Sequence, residues 1–261
     1  MRFVPEAALA KPVAHMRCFD ELCERSLLVH STTNDSRSGN VLGRGRTMRM
    51  FKPINARFWG DYGSILISGY PIGEENGLLE LYRTGPFVPP MTFPDEFVVT
   101  DSFRAELEKA FSGLQFKPVI KKRIVSMRWR WEQAEKTDEG IEKHLPPDCE
   151  PESYLLSRRH SEKASEAMGP LWQMVVKPVL QARFFRDADY NYTYYVKKST
   201  WNGDHFLSLA SRSTFPVVTE VAKDFLESHN AAEWLEFEEI HVVDELPPAE
   251  EKTTGKRDIT D

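Results

Sequence analysis

The chain has 261 residues, 41% apolar and 28% charged, with a net charge of −6. That length can bury a large core in one domain or two lobes, and the composition is globular rather than fibrous or disordered. No apolar run approaches the roughly 20 residues of a membrane span, and Cys18, Cys23 and Cys149 are odd in number and follow no ligand spacing. No membrane, disulfide framework, structural metal or cofactor is therefore expected.

The opening stretch MRFVPEAALAKPVAHM lacks the continuous apolar core of a signal peptide, which predicts a cytoplasmic protein. Charge is uneven: residues 1–60 carry +5 and residues 211–261 carry −8. Only the first part could face phosphates. The acidic end suits a basic partner through complementary steering, or simply keeps the chain in solution.

In chain order, residues 18–30 suggest a short helix, and residues 31–47 a Gly-rich loop. Gly43 and Gly45 lack the third glycine or Gly-Lys-Ser/Thr ending of a phosphate loop. Ser64–Tyr70 reads as a strand, Pro71–Gly77 as a turn and Leu78–Tyr82 as the next strand. Thr84–Pro94 carries four prolines and reads as a packed, rigid loop. Lys121–Glu132 reads as a strand in which Arg128 and Arg130 interleave with Trp129 and Trp131. Glu132–Tyr154 is polar and proline-bearing, and reads as loop. Ser157–Val176 has a helical period, with Ser161 as cap and a bend at Gly169-Pro170. Val179–Tyr195 returns to strand, with Tyr190, Tyr192 and Tyr194 on one face. Asn202-Gly203 signals a hairpin between Tyr194–Trp201 and His205–Leu209. From Asp244 to Asp261 the chain reads as a disordered polar tail.

The longest ordered pattern is a strand–helix–strand unit that occurs twice, in Phe97–Val119 and Phe215–Val243. Aligning Thr100 with Thr219 matches Val98, Val99, Leu107, Glu108, Leu114 and Phe116 with Val217, Val218, Leu226, Glu227, Leu235 and Phe237. Asp101 with Glu220, Arg104 with Lys223 and Val119 with Ile240 are conservative. Each threonine is placed to cap its helix, with an acidic residue in the first turn. The expected fold is α+β, with mixed or antiparallel sheets and a few helices. An N-terminal lobe is expected over residues 1–90 and a C-terminal lobe with both units over 91–243. The tail follows at 244–261.

No nucleophile elbow, zinc-helix, Walker or Cys-x-x-Cys motif is present. The seven histidines are scattered. Asp204-His205 fits an acid–base pair or the polarity of a turn equally well. No catalytic residue emerges, and the chain is not expected to be an enzyme.

The block Phe215-Pro216-Val217-Val218-Thr219-Glu220, a helix, then Trp234-Leu235-Glu236-Phe237-Glu238-Glu239-Ile240 resembles bacterial immunity proteins of polymorphic-toxin and contact-dependent systems. The block Phe97–Val119 is similar to it. The resemblance covers about a fifth of the chain and leaves residues 1–90 untouched. It implies a small cytoplasmic protein that binds a cognate toxin domain and occludes its active site. It implies no catalytic residue. Glu233, Glu236, Glu238 and Glu239 on the solvent face of the last strand, and Tyr190, Tyr192 and Tyr194, are the candidate partner contacts. Alternatives stay open: a single-strand nucleic-acid binder using Arg44, Arg46, Arg49, Arg128, Arg130 and the tryptophans, or an enzyme whose site assembles only in space. Nucleic acid is the weaker expectation, because the net charge is negative.

Overall fold

The computed structural model describes residues 48–55, 63–127, 145–146, 149–186, 192–229 and 233–248. The chain opens with β1 (Met50–Asn55), a π-helical turn (Ser64–Ser68), β2 (Tyr70–Glu75), β3 (Leu78–Gly85), β4 (Met91–Thr92) and β5 (Val98–Thr100). Helix α1 (Asp101–Ala110), β6 (Phe116–Pro118) and β7 (Ile120–Ser126) follow, then α2 (Pro151–Ser157) and α3 (Glu162–Met168). The remainder is β8 (Leu171–Met174), β9 (Lys177–Leu180), β10 (Ala182–Arg186), β11 (Tyr192–Lys197), β12 (Phe206–Leu209), β13 (Arg212–Thr219), α4 (Glu220–Ser228) and β14 (Leu235–Val243). This is an α+β fold, mostly sheet, with mixed and antiparallel pairing.

The repeated unit takes the same form twice. Thr100 and Thr219 are both extended, and each hydroxyl accepts the backbone N–H three residues on, from Phe103 and Ala222. That satisfies one orphan donor of each helix. The helices bury the same two positions, Phe103 and Leu107 in α1 and Ala222 and Leu226 in α4. Each unit is preceded by a hairpin, β4–β5 or β12–β13. Each also holds a foreign strand between its own two: β8 lies antiparallel between β5 and β6, and β1 between β13 and β14. The registers agree residue for residue. Trp172 faces Val99 and Pro118, as Phe51 faces Val218 and Glu239. Even the surface stacks recur, with Arg104 3.9 Å over Trp172 and Lys223 5.4 Å over Phe51.

The likeness extends beyond the aligned blocks. The hairpin β2–β3 stands where β10–β11 stands in the second half, and β3 runs parallel to β7 as β11 does to β14. Thus β1 precedes the first half but completes the second, while β8 precedes the second half but completes the first. The two halves exchange their leading strands, and each sheet is continuous only because the other half supplies its middle.

In the second half the sheet closes on itself. The strand Lys177–Arg186 bends at Gln181, pairing with β12 before the bend and with β11 after it. Backbone bonds from Lys197 to Gln181 and from Ala210 to Leu180 hold the bend. The result is a barrel of six strands, counting β9 and β10 as one. Met50, Leu180, Val196, Leu207, Leu209, Phe215, Val217 and Ile240 fill it, as side chains must in so narrow a barrel. In the first half, Leu81, Val98, Val119 and Leu171 take the equivalent positions, and Ala164 and Met168 of α3 cover them.

Between the halves lies one shared core. Phe97, Phe103, Leu107 and Phe111 of the first half meet Phe51, Phe206, Val218, Ala222 and Leu226 of the second. The Phe111 ring stands edge-on to Phe206 at 5.2 Å and to Phe225 at 5.1 Å.

Four sequence expectations are corrected. Ser64–Ser68 is a π-helical turn, not a strand. Adjacent Leu66 and Ile67 both bury in one cluster with Leu155 and Trp234, whereas a strand would send them to opposite faces. Gly69 ends the turn at φ 110°, and a Cβ there would sit 2.9 Å from Leu81. The turn expected over Pro71–Gly77 shrinks to Asn76-Gly77, with φ values of 54° and 74°, because β2 runs on to Glu75. The helix expected over Ser157–Val176 is α2, then α3 capped by Ser161, then β8; Gly169 at φ 72° and the N–H-less Pro170 stop the helix. No hairpin forms at Asn202-Gly203: β11 lies between β10 and β14, and β12 between β13 and β9. The Asn202 side chain instead bonds Asp204, accepting from its N–H and donating to its carboxylate.

Candidate functional site

The barrel mouth is where unusual side chains converge. Continuing the β1–β13 register beyond Phe51–Val218 sets Pro53 opposite Pro216. Neither proline can donate a hydrogen bond, so the ladder ends there and the strands part. Into this opening projects Lys52, half-buried, with its ammonium 5.2 Å from the Phe215 ring centre and 5.4 Å from that of Tyr194. Glu238 lies 3.7 Å away across the β1–β14 pair. Tyr194 packs on Phe215 at 4.6 Å.

The rim beyond is aromatic. Phe184 on β10 pairs with Tyr194 on β11, and Arg186 with Tyr192. The Phe184 ring is 5.9 Å from Tyr192 and 6.3 Å from Tyr194, while the two tyrosines stack at 6.1 Å. Phe184 is 57% exposed and Tyr192 37%. The Arg186 guanidinium lies 5.7 Å over Tyr192.

The candidate contacts from the sequence separate into groups. Tyr192 and Tyr194 share the mouth with Glu236 and Glu238, which follow the inward parity of Ile240 along β14. That corrects the expected solvent face: Ile240 on the same face fills the barrel, so both glutamates lie on the inner side and are half-buried. Glu239 lies on the opposite face, bound by two hydrogen bonds from Arg49 at 2.6 and 2.9 Å. Arg49 also bonds Glu220, and its hydrogen bond holds the Glu239 carboxyl below the ordinary carboxylate range. Glu233 is exposed in the turn before β14. Tyr190, Arg44, Arg46 and the Arg128–Trp131 segment fall outside the described residues.

Two features escaped sequence reasoning. Phe184 lies within Val179–Tyr195, which reads as strand in the sequence; nothing local could say that its ring would be left so exposed. Arg83 sits wholly buried on β3, donating to the carbonyls of Thr84 and Phe87. Its second terminal nitrogen has no partner among the described residues, and burial pushes its pKa down to about 9. No carboxylate of the described residues accompanies it, and a buried cation left unpaired costs stability. Arg83→Met is expected to raise unfolding free energy by about 1–2 kcal/mol at neutral pH, where the buried charge is fully present; a urea titration reads it.

A cavity of about 10 Å³ lies among Asn55, Ser64, Ser68, Thr92 and Trp234, room for about one water. Around Lys121, Lys122, His160 and Glu162 there is only an open surface dish. No helix among the described residues is long and apolar enough to cross a membrane. No protein-family model and no curated protein matches the chain.

Proposed function

We propose that this chain is a cytoplasmic immunity protein that binds a cognate bacterial toxin and neutralises it by occluding the active site. The observation that carries the reading is the barrel mouth, where an exposed aromatic rim borders half-buried carboxylates. Aromatic side chains at the centre of a patch are what protein interfaces select. Glu236, Glu238, Tyr192 and Tyr194 are assigned to the contact, with Phe184 added. The resemblance of the two repeated blocks to immunity proteins supplies the class of partner. The acidic surplus of residues 211–261 supplies its sign, a basic toxin surface drawn in by steering.

The test is capture of partners by the tagged full chain from its own host's lysate, followed by expression of the captured protein alone and together with this chain. The expected result is one stoichiometric partner that stops growth alone and is silenced by coexpression. A partner harmless by itself, or none, ends the reading. With the partner in hand, the Glu236→Lys/Glu238→Lys variant is expected to slow association by about tenfold and flatten its salt dependence.

A further inference from the structure

We infer that Glu96 and Gln173 form a proton-operated clasp, a carboxylic acid paired with a carboxamide, which fastens the β4–β5 connection to the exchanged strand β8. The clasp is independent of the partner contact proposed above.

The pair lies where the second half has its barrel mouth. Gln173 faces Val98 and Lys117, one residue on from Trp172, just as Lys52 faces Glu238, one residue on from Phe51. Glu96 stands two residues before Val98, as Phe215 stands two before Val217. The second half packs an ammonium against rings at this place, and the first half packs an amide against a carboxyl. Gln173 is only 7% exposed. Its Nε2 donates to Glu96 Oε2. Its Oε1 is buried and has no partner among the described residues. Asp95, immediately before Glu96, is held at φ 142°, a conformation that non-glycine residues keep only where their surroundings fix it.

An ionised carboxylate accepts hydrogen bonds and donates none. Facing an amide, it can serve the NH₂ end alone, and the buried amide oxygen stays bare at a cost. Turning the amide over would set acceptor against acceptor. A protonated carboxyl serves both ends: Oε2 accepts from Nε2, and the hydroxyl on the other oxygen donates to Gln173 Oε1. One proton from solvent thus satisfies the bare acceptor and removes a half-buried charge.

The surrounding charges favour that proton. Burial pushes the Glu96 carboxyl above the ordinary carboxylate range, and Glu74 on β2 and Asp95 in the same connection push the same way. Lys117 on β6 opposes them, with its ammonium also donating to the Gly77 carbonyl. The folded chain therefore holds the proton more tightly than the unfolded chain. The contribution of the clasp is full below the ordinary glutamate value of about 4.3 and is lost as pH rises through the raised folded value.

The experiment is a pH titration of the full chain by NMR, with ¹³C at the side-chain carbonyl carbons of Glu and Gln. Glu96→Gln and Gln173→Met assign the two signals. The Glu96 carbon is expected to titrate at higher pH than those of exposed glutamates, and the Gln173 carbon to shift with the same midpoint. In Glu96→Gln the Gln173 carbon should lose that transition. This variant carries a donor at every pH, so its urea midpoint should exceed that of wild type at neutral pH, with the difference closing as pH falls below about 4.3. An ordinary midpoint for Glu96 overturns the inference. So does a raised midpoint to which the Gln173 carbon does not respond, the mark of burial without the pair. A Glu96→Gln variant no more stable than wild type at neutral pH overturns it as well.

Discussion

Phe206→Ala is expected to lower the unfolding free energy by about 3–5 kcal/mol, the range for emptying a large aromatic from a packed core. The ring lies on β12 of the second half, yet its neighbours are Phe97 at 5.9 Å and Phe111 at 5.2 Å, both in the first half and both edge-on. Such edge-on pairs add to the burial of area. The cavity therefore opens between the halves, where neither can close it alone. Urea unfolding of the variant should remain a single transition with an unchanged slope, because the halves share this core and each other's strands. Two separated transitions would mean that the halves unfold independently.

Asn55→Ala is expected to cost about 2–4 kcal/mol, much more than an ordinary half-buried asparagine. In the second half, β9 pairs with β12 along its outer side. Among the described residues the equivalent outer side of β4 in the first half has no such strand, and Ser64–Ser68 before β2 turns as a π-helix. The Asn55 amide takes that place. It accepts from the Phe93 N–H at 3.2 Å and donates to the Phe93 carbonyl at 2.8 Å, the two bonds a strand residue would make. The same amide donates to Ser64 and accepts from Ser68, both in or beside the π-helical turn. Truncation leaves a backbone donor, a backbone acceptor and two hydroxyls short of partners. Chemical denaturation measures the loss, and a cost below about 0.5 kcal/mol, the level of an ordinary surface change, would deny this role.

Much of the fold was legible where the information is local. Thr100 and Thr219 cap as a threonine before an acidic first turn should. The matched positions of the two blocks, down to Phe116 with Phe237, coincide in strand register. What the sequence could not show was which strand lies between those of each unit. Met50–Asn55 and Leu171–Met174 are short apolar runs, and short apolar runs do not declare a partner or even a secondary structure. Hence β8 was absorbed into an expected helix, and β1 passed unnoticed. Ser64–Ser68 misled for the opposite reason: its β-branched residues favour a strand, but burial of two adjacent side chains overrides that preference.

The candidate site was legible in part for the same physical reason. Alternation along β11 puts Tyr192 and Tyr194 on one face, and alternation along β14 does the same for Glu236 and Glu238. It also sends Glu239 to the other face, to Arg49. Lys52 and Phe215 come from distant segments and reach the mouth only through the β1–β14 and β1–β13 pairings, which no periodicity encodes.

The exchange of leading strands is the feature on which both the stability and the barrel mouth depend, and hydrogen exchange under increasing denaturant tests it most directly. The amides of Met50–Asn55 that pair with β13 and β14, and those of Leu171–Met174 that pair with β5 and β6, are expected to exchange only through global unfolding. Both sets should show one opening free energy and one denaturant slope. Exchange of either strand through a smaller opening, with the opposite half still protected, would contradict the account.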